Sequence, residues 1–86
     1  MQTYTHKLIF TPDMLTAYRA LVANAEGCII KSVGDYIWRD VYLDNAKPNG
    51  WSPRKWAGVL SQLEKAGCYI RNDSVFGTVR MPVGAL

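Results

Sequence analysis

At 86 residues the chain has room for one domain around one core, because small domains bury a smaller share of their chain surface than large ones do. Hydrophobic residues make up 49% and charged residues 20%, which excludes the apolar-poor, highly charged composition of disordered chains, and no apolar run approaches the roughly 20 residues of a bilayer span. The net charge of +3 is unevenly spread: residues 1–50 carry five basic and five acidic side chains, residues 51–86 five basic and two acidic, so one end of the fold is expected to hold the positive field.

The opening Met1-Gln2-Thr3-Tyr4-Thr5-His6-Lys7 lacks the basic-then-apolar order of a secretory leader, so a cytoplasmic protein with no membrane attachment is expected. Residues 1–10 read as an arm or short strand, with Leu8, Ile9 and Phe10 as its apolar members. Thr11-Pro12-Asp13 then supplies a capping hydroxyl, a proline at the first helical position and an acid at the positive end of the helix dipole. The spacing of Leu15, Tyr18, Leu21, Val22 and Ala25 predicts helix 1 to about Ala25, with Gly27 as its stop. Cys28-Ile29-Ile30-Lys31 predicts a brief buried strand. Ser32, with Asp35 three residues on, has the form of a capping box, and Ile37, Trp38, Val41 and Tyr42 then predict helix 2 through Leu43.

Asp44 to Gly50 is turn-forming throughout and reads as a loop. Ser52-Pro53 repeats the cap-then-proline start. Trp56, Val59, Leu60 and Leu63 give helix 3 (53–66) a core face, closed by Lys65-Ala66-Gly67. Trp51, just before that cap, suits either a hydrophobic staple onto a residue one turn on or a stacking contact with a ligand; packing is the favoured reading. Cys68 to Arg71 and Val75 to Met81, joined by Asn72-Asp73-Ser74, predict a β-hairpin over 68–81, leaving 83–86 as a frayed tail.

Candidate chemistry is sparse. Cys28, Cys68 and His6 cannot alone supply the four ligands of a structural zinc site, and the two cysteines read as buried thiols rather than a disulfide. There is no glycine-rich phosphate loop, no carboxylate pair in a recognisable motif and no nucleophile-base set, so neither an enzyme nor a cofactor is expected.

The run Leu60-x-x-Leu63-Glu64-x-x-Gly67, leading from helix 3 into the hairpin, resembles the recognition-helix-to-wing passage of bacterial and phage winged helix-turn-helix regulators. The order of elements over residues 11–82 resembles that class too, while the connection between helices 2 and 3 is longer than its usual turn. The resemblance implies an α+β winged helix: a three-helix core, a short strand and a C-terminal two-stranded hairpin wing. It also implies a small transcriptional regulator binding double-stranded DNA, with helix 3 in the major groove and the wing on the backbone. The outward face of helix 3 would then present Arg54, Lys55, Gly58, Ser61, Gln62 and Lys65, and the wing Arg71 and Arg80. Gly58 would allow close backbone approach. The same residues also suit an ordinary solvated helix face and a protected strand edge. The alternative function is a winged-helix protein-interaction module, such as a phage-type inhibitor or adaptor of a host protein, anchored by some of the three tryptophans and five tyrosines. A homodimer would have to use helix 1 or the arm.

Overall fold

A computed structural model describes residues 10–73 and 75–82. The expected N-terminal strand, His6, Ser74 of the hairpin turn and the tail lie outside them, as does the side chain of Cys28. The elements in chain order are α1 (Pro12–Asn24), β1 (Ala25–Val33), β2 (Tyr36–Tyr42), α2 (Leu43–Ala46), α3 (Pro53–Lys65), β3 (Tyr69–Arg71) and β4 (Phe76–Pro82). The result is an α+β domain in which three helices accompany a four-stranded antiparallel sheet of order β1-β2-β4-β3.

Both long helices begin as their sequences predict. Thr11 Oγ1 accepts the Met14 N–H at 3.1 Å, Ser52 Oγ accepts the Lys55 N–H at 3.1 Å, and a proline follows each cap. At the end of α3 the chain turns through Gly67 (φ 84). The Cys68 N–H reaches the Leu63 carbonyl and the Gly67 N–H the Glu64 carbonyl, which is a Schellman closure. The predicted core face of α3, Trp56, Val59, Leu60 and Leu63, is buried throughout. That of α1 is rotated from the expected one: Met14, Ala17 and Leu21 are buried, Tyr18 and Val22 pack at the margin, and Leu15 is exposed.

Helix 2 is the main correction. Residues 25–42 form a β-hairpin, in which Val33 pairs with Tyr36 across a two-residue turn. Gly34 takes φ 59 there, the left-handed conformation that a tight hairpin turn requires at its first central position. The Ser32/Asp35 pair has the spacing of a capping box, but the β-branched and aromatic residues around it favour extended chain. The apolar pattern of β2 has period two. Ile37 and Val41 are buried, with Arg39 between them on the same face, while Tyr36, Trp38, Asp40 and Tyr42 take the other face. Trp38 and Tyr42 are therefore not on one stripe with Ile37 and Val41, as a helix would place them.

The strand at Cys28–Lys31 exists but is neither brief nor buried. β1 runs along the sheet edge with two register irregularities, and Ile29 and Ile30 are 49% and 54% exposed. The loop expected at Asp44–Gly50 begins within the single turn of α2, which buries Leu43 and Ala46. The C-terminal hairpin stands as expected, its second strand beginning at Phe76. Its turn is held by the Asp73 carboxylate, which accepts the Val75 N–H at 2.7 Å and the Phe76 N–H at 2.8 Å.

The core lies between the helices and one face of this sheet, where Leu21, Leu63 and Val79 are fully enclosed with Ala17. Phe10 stacks edge-on against Tyr18, whose hydroxyl donates to the Arg80 carbonyl, so the start of the described chain is tied to its last strand.

Candidate nucleic-acid interface

Helical geometry sorts the residues of α3. With Trp56, Val59, Leu60 and Leu63 turned inward, the stripe facing directly outward is Arg54, Gly58, Ser61 and Lys65, with Gln62 beside it, and all five are exposed. No acidic residue stands on that stripe. A Cβ added at Gly58 would meet nothing within 4 Å, so this part of the helix backbone faces open space. Arg54 and Lys65 are about 16 Å apart along the axis at ~1.5 Å per residue. Among the described residues neither has an ion-pair partner.

Lys55 stands apart from this set. Its ammonium lies 3.5 Å from the Asp13 carboxylate at the start of α1 and 4.4 Å from the centre of the Trp51 ring. Both groups of the ion pair are half-exposed, so the pair contributes at most about 1 kcal/mol, but it directs the charge toward α1 and away from the outward stripe. Trp51 packs edge-on against Trp56 at 6.1 Å between ring centres, one residue before the cap against the fourth helical residue. This is the staple arrangement, and it sets the angle at which the loop enters α3.

The hairpin divides its two arginines between opposite faces of the sheet. Arg71 pairs with Gly77 on the side facing the helices, and it shares a cleft with Ser61 and Glu64 of α3. Arg80 pairs with Trp38 on the other side, where its guanidinium lies 4.4 Å from the centre of the Tyr36 ring. Of the eight expected contact residues, Arg54, Gly58, Ser61, Gln62 and Lys65 thus share the exposed side of α3, and Arg71 meets them at the cleft it lines with Ser61. Lys55 is drawn aside and Arg80 faces away. Glu64, absent from the face expected on sequence grounds, lines the same cleft as Arg71 and brings a negative charge to it.

Tyr69 precedes Arg71 on the same strand and fixes how the hairpin sits beneath α3. Its ring lies across Gly77, where a Cβ would stand 2.6 Å from its Cζ atom. Burial pushes its hydroxyl up to about 12, so the group stays protonated at neutral pH. Burial likewise pushes the Cys68 thiol up against a smaller opposing effect of Arg80, and Cys68 is a free, buried cysteine.

Among the described residues no His, Cys, Asp and Glu side chains gather in threes as a metal site would need, and no helix is long and apolar enough to cross a membrane. Comparison with protein-family models, with curated proteins and with solved structures found no match to this chain.

Proposed function

We propose that this protein binds double-stranded DNA through the outward face of α3, as a small regulator built on a winged-helix-like arrangement of α1, α3 and the β3–β4 hairpin. The observation that carries the reading is the stripe of Arg54, Gly58, Ser61 and Lys65, exposed, free of acids and unobstructed by the rest of the described chain. An α-helix of this kind fits a major groove. Arginine and lysine contact phosphates or guanine edges, Gln62 suits an adenine edge, and Ser61 suits bases or backbone. Arg71 extends the positive surface onto the hairpin, where backbone contact supplies affinity rather than sequence discrimination.

The test is binding to random-sequence duplex DNA across a salt series. Removing one phosphate-neutralising side chain makes the slope of log affinity against log salt shallower by about 0.9. An Arg54→Ala/Lys65→Ala/Arg71→Ala variant is expected to flatten that slope by up to about three such steps, while Arg80→Ala leaves it unchanged because Arg80 lies on the far face of the sheet. Absence of binding by the folded protein at low salt overturns the reading, and so does an Arg80 effect equal to that of the triple variant.

One observation favours a second reading, a protein-interaction module. The sheet face opposite the helices exposes Tyr36, Tyr42, Phe76 and Ile70 by 38–44% each, and aromatic side chains of this kind anchor protein interfaces. Failure of DNA binding at low salt would leave this face as the place to seek a partner.

A further inference from the structure

The sheet face opposite the helices is patterned along its strands. At one end Tyr36 is 39% exposed and the Arg80 guanidinium lies 4.4 Å from the centre of its ring, so a cation is stacked on an aromatic surface. At the other end is a hollow of about 300 Å³, whose lining includes Glu26, Asp40, Tyr42 and Phe76. Tyr42 and Phe76 are 38% and 44% exposed, with ring centres 5.3 Å apart. Asp40 Oδ1 accepts the Thr78 hydroxyl at 3.0 Å, which fixes that carboxylate on the same face. Tyr36 and Tyr42 are six positions apart on β2, about 20 Å at ~3.3 Å per residue. One face thus carries a cation on a ring at one end and two carboxylates with two rings at the other.

We propose that this face packs against the same face of a second copy of the chain, about a two-fold axis that lies between the two sheets and runs across their strands. Such an axis reverses the strand direction, so the Tyr36 and Arg80 end of each copy covers the hollow of the other. The Arg80 guanidinium then meets the Glu26 and Asp40 carboxylates, and the Tyr36 ring meets the Tyr42 and Phe76 pair. An axis along the strands would instead bring like charges to the same level. A nucleic-acid single strand also stacks on exposed rings, but here its phosphates would meet two carboxylates and one cation, so the charge pattern selects the second copy. Seven-residue strands in a sheet of four give a face of roughly 23 × 19 Å, or about 400 Å². That is about half the ~800 Å² that each partner of a stable complex buries, which places the dimer in the weak, reversible class. The α3 stripes of the two copies point away from the paired sheets in opposite directions. Joined to the proposed DNA contact, on which this consequence alone rests, the dimer would hold two duplexes rather than two half-sites of one.

The test is sedimentation equilibrium of the full chain, without DNA, from about 10 µM to about 1 mM, the range in which small interfaces associate. The weight-average mass is expected to rise toward twice that of the chain. Arg80→Glu and Asp40→Lys, each alone, are expected to stay monomeric. An equimolar mixture of the two should dimerise again, because the two introduced charges face each other across the axis and the unchanged Arg80 and Asp40 do the same. Phe76→Ser, at an exposed position, is expected to weaken self-association by about tenfold or more while circular dichroism shows the fold kept, and it decides the matter if a charge variant does not fold. The proposal is overturned by a wild type that stays monomeric throughout, by a mixture of folded charge variants that does not associate, or by Phe76→Ser dimerising as the wild type does. With DNA, wild type bound to an immobilised duplex is expected to capture a free one, and Phe76→Ser to bind the first without capturing the second. Equal capture by both refutes the bridging, whereas a dimer that binds no duplex at all refutes the DNA reading and supports the pairing of the sheets.

Discussion

Gly77→Ala is a one-methyl change whose sign depends on where the Tyr69 ring lies. In an ordinary strand position the substitution would stabilise by about 0.4–1 kcal/mol, because alanine has less freedom to lose on folding. Here the new carbon would stand 2.6 Å from Tyr69 Cζ, against the ~3.5–4.0 Å at which carbon atoms rest. The ring would have to withdraw by about 1 Å from a place where Tyr69 is only 2% exposed. Overpacking of this kind costs about 1–3 kcal/mol, which exceeds the gain in backbone entropy. At about 4–8 °C per kcal/mol for a domain of this size, thermal unfolding followed by circular dichroism should show the midpoint falling by roughly 5–15 °C. In a Tyr69→Leu background the ring is gone, and the same Gly77→Ala change should become neutral or stabilising, giving a coupling of opposite sign in a double-mutant cycle. A wild-type background in which Gly77→Ala raises the midpoint would refute the register that sets Arg71 opposite Gly77, and with it the placement of Arg71 beside α3.

Other perturbations test other parts of the fold. Ser52→Ala removes the acceptor for the Lys55 N–H and should cost about 1 kcal/mol in urea unfolding. The Phe76 and Val75 backbone N–H groups hold the Asp73 carboxyl below its ordinary value of 3.8. A depressed carboxylate contributes stability that is complete above the unfolded value and lost as pH falls through the folded one, so the wild type should lose stability below about pH 4 more steeply than Asp73→Asn. In a Cys28→Ser background Cys68, buried and with its thiol pushed up by that burial, should resist iodoacetamide at about pH 8 until denaturant is added; rapid labelling of the native protein would contradict its enclosure.

Local signals reported the starts of the two long helices, the close of α3 and the C-terminal hairpin, whereas Gly27, expected to stop α1, lies inside β1. Cap, proline and closing glycine act within a few residues of themselves, so Thr11-Pro12, Ser52-Pro53 and Gly67 could be read without knowing what surrounds them. Residues 25–42 are different. Ile37 and Val41 fit one face of a helix or of a strand, and Ser32 with Asp35 imitates a cap; the choice is made by pairing with β4, which follows more than thirty residues later. For the candidate site, spacing along α3 was enough to place Arg54, Gly58, Ser61 and Lys65 together. Three features lay beyond it. The Lys55 contact with Asp13 joins separate helices, the side of the sheet taken by Arg80 depends on strand register, and the cleft under Ser61 needs three elements assembled. The opposite facing of Arg71 and Arg80 was half legible: Gly77 and Arg80 are an odd number of positions apart and so point to opposite faces, but only the register tells that Arg71 lies across from Gly77.

The strand order β1-β2-β4-β3 places the last element of the described chain in the interior of the sheet, paired on one side with β2 and on the other with β3. As the chain emerges N-terminus first during synthesis, the β1–β2 hairpin can close by itself, but the sheet is complete only when β4 has emerged. Until then β2 and β3 each present an unpaired backbone edge, and the core lacks Val79 and Met81. A chain ending at residue 75 is thus not a shortened version of this fold but two separate fragments of a sheet without the strand that joins them, and premature termination there should yield aggregation or degradation rather than a smaller working domain.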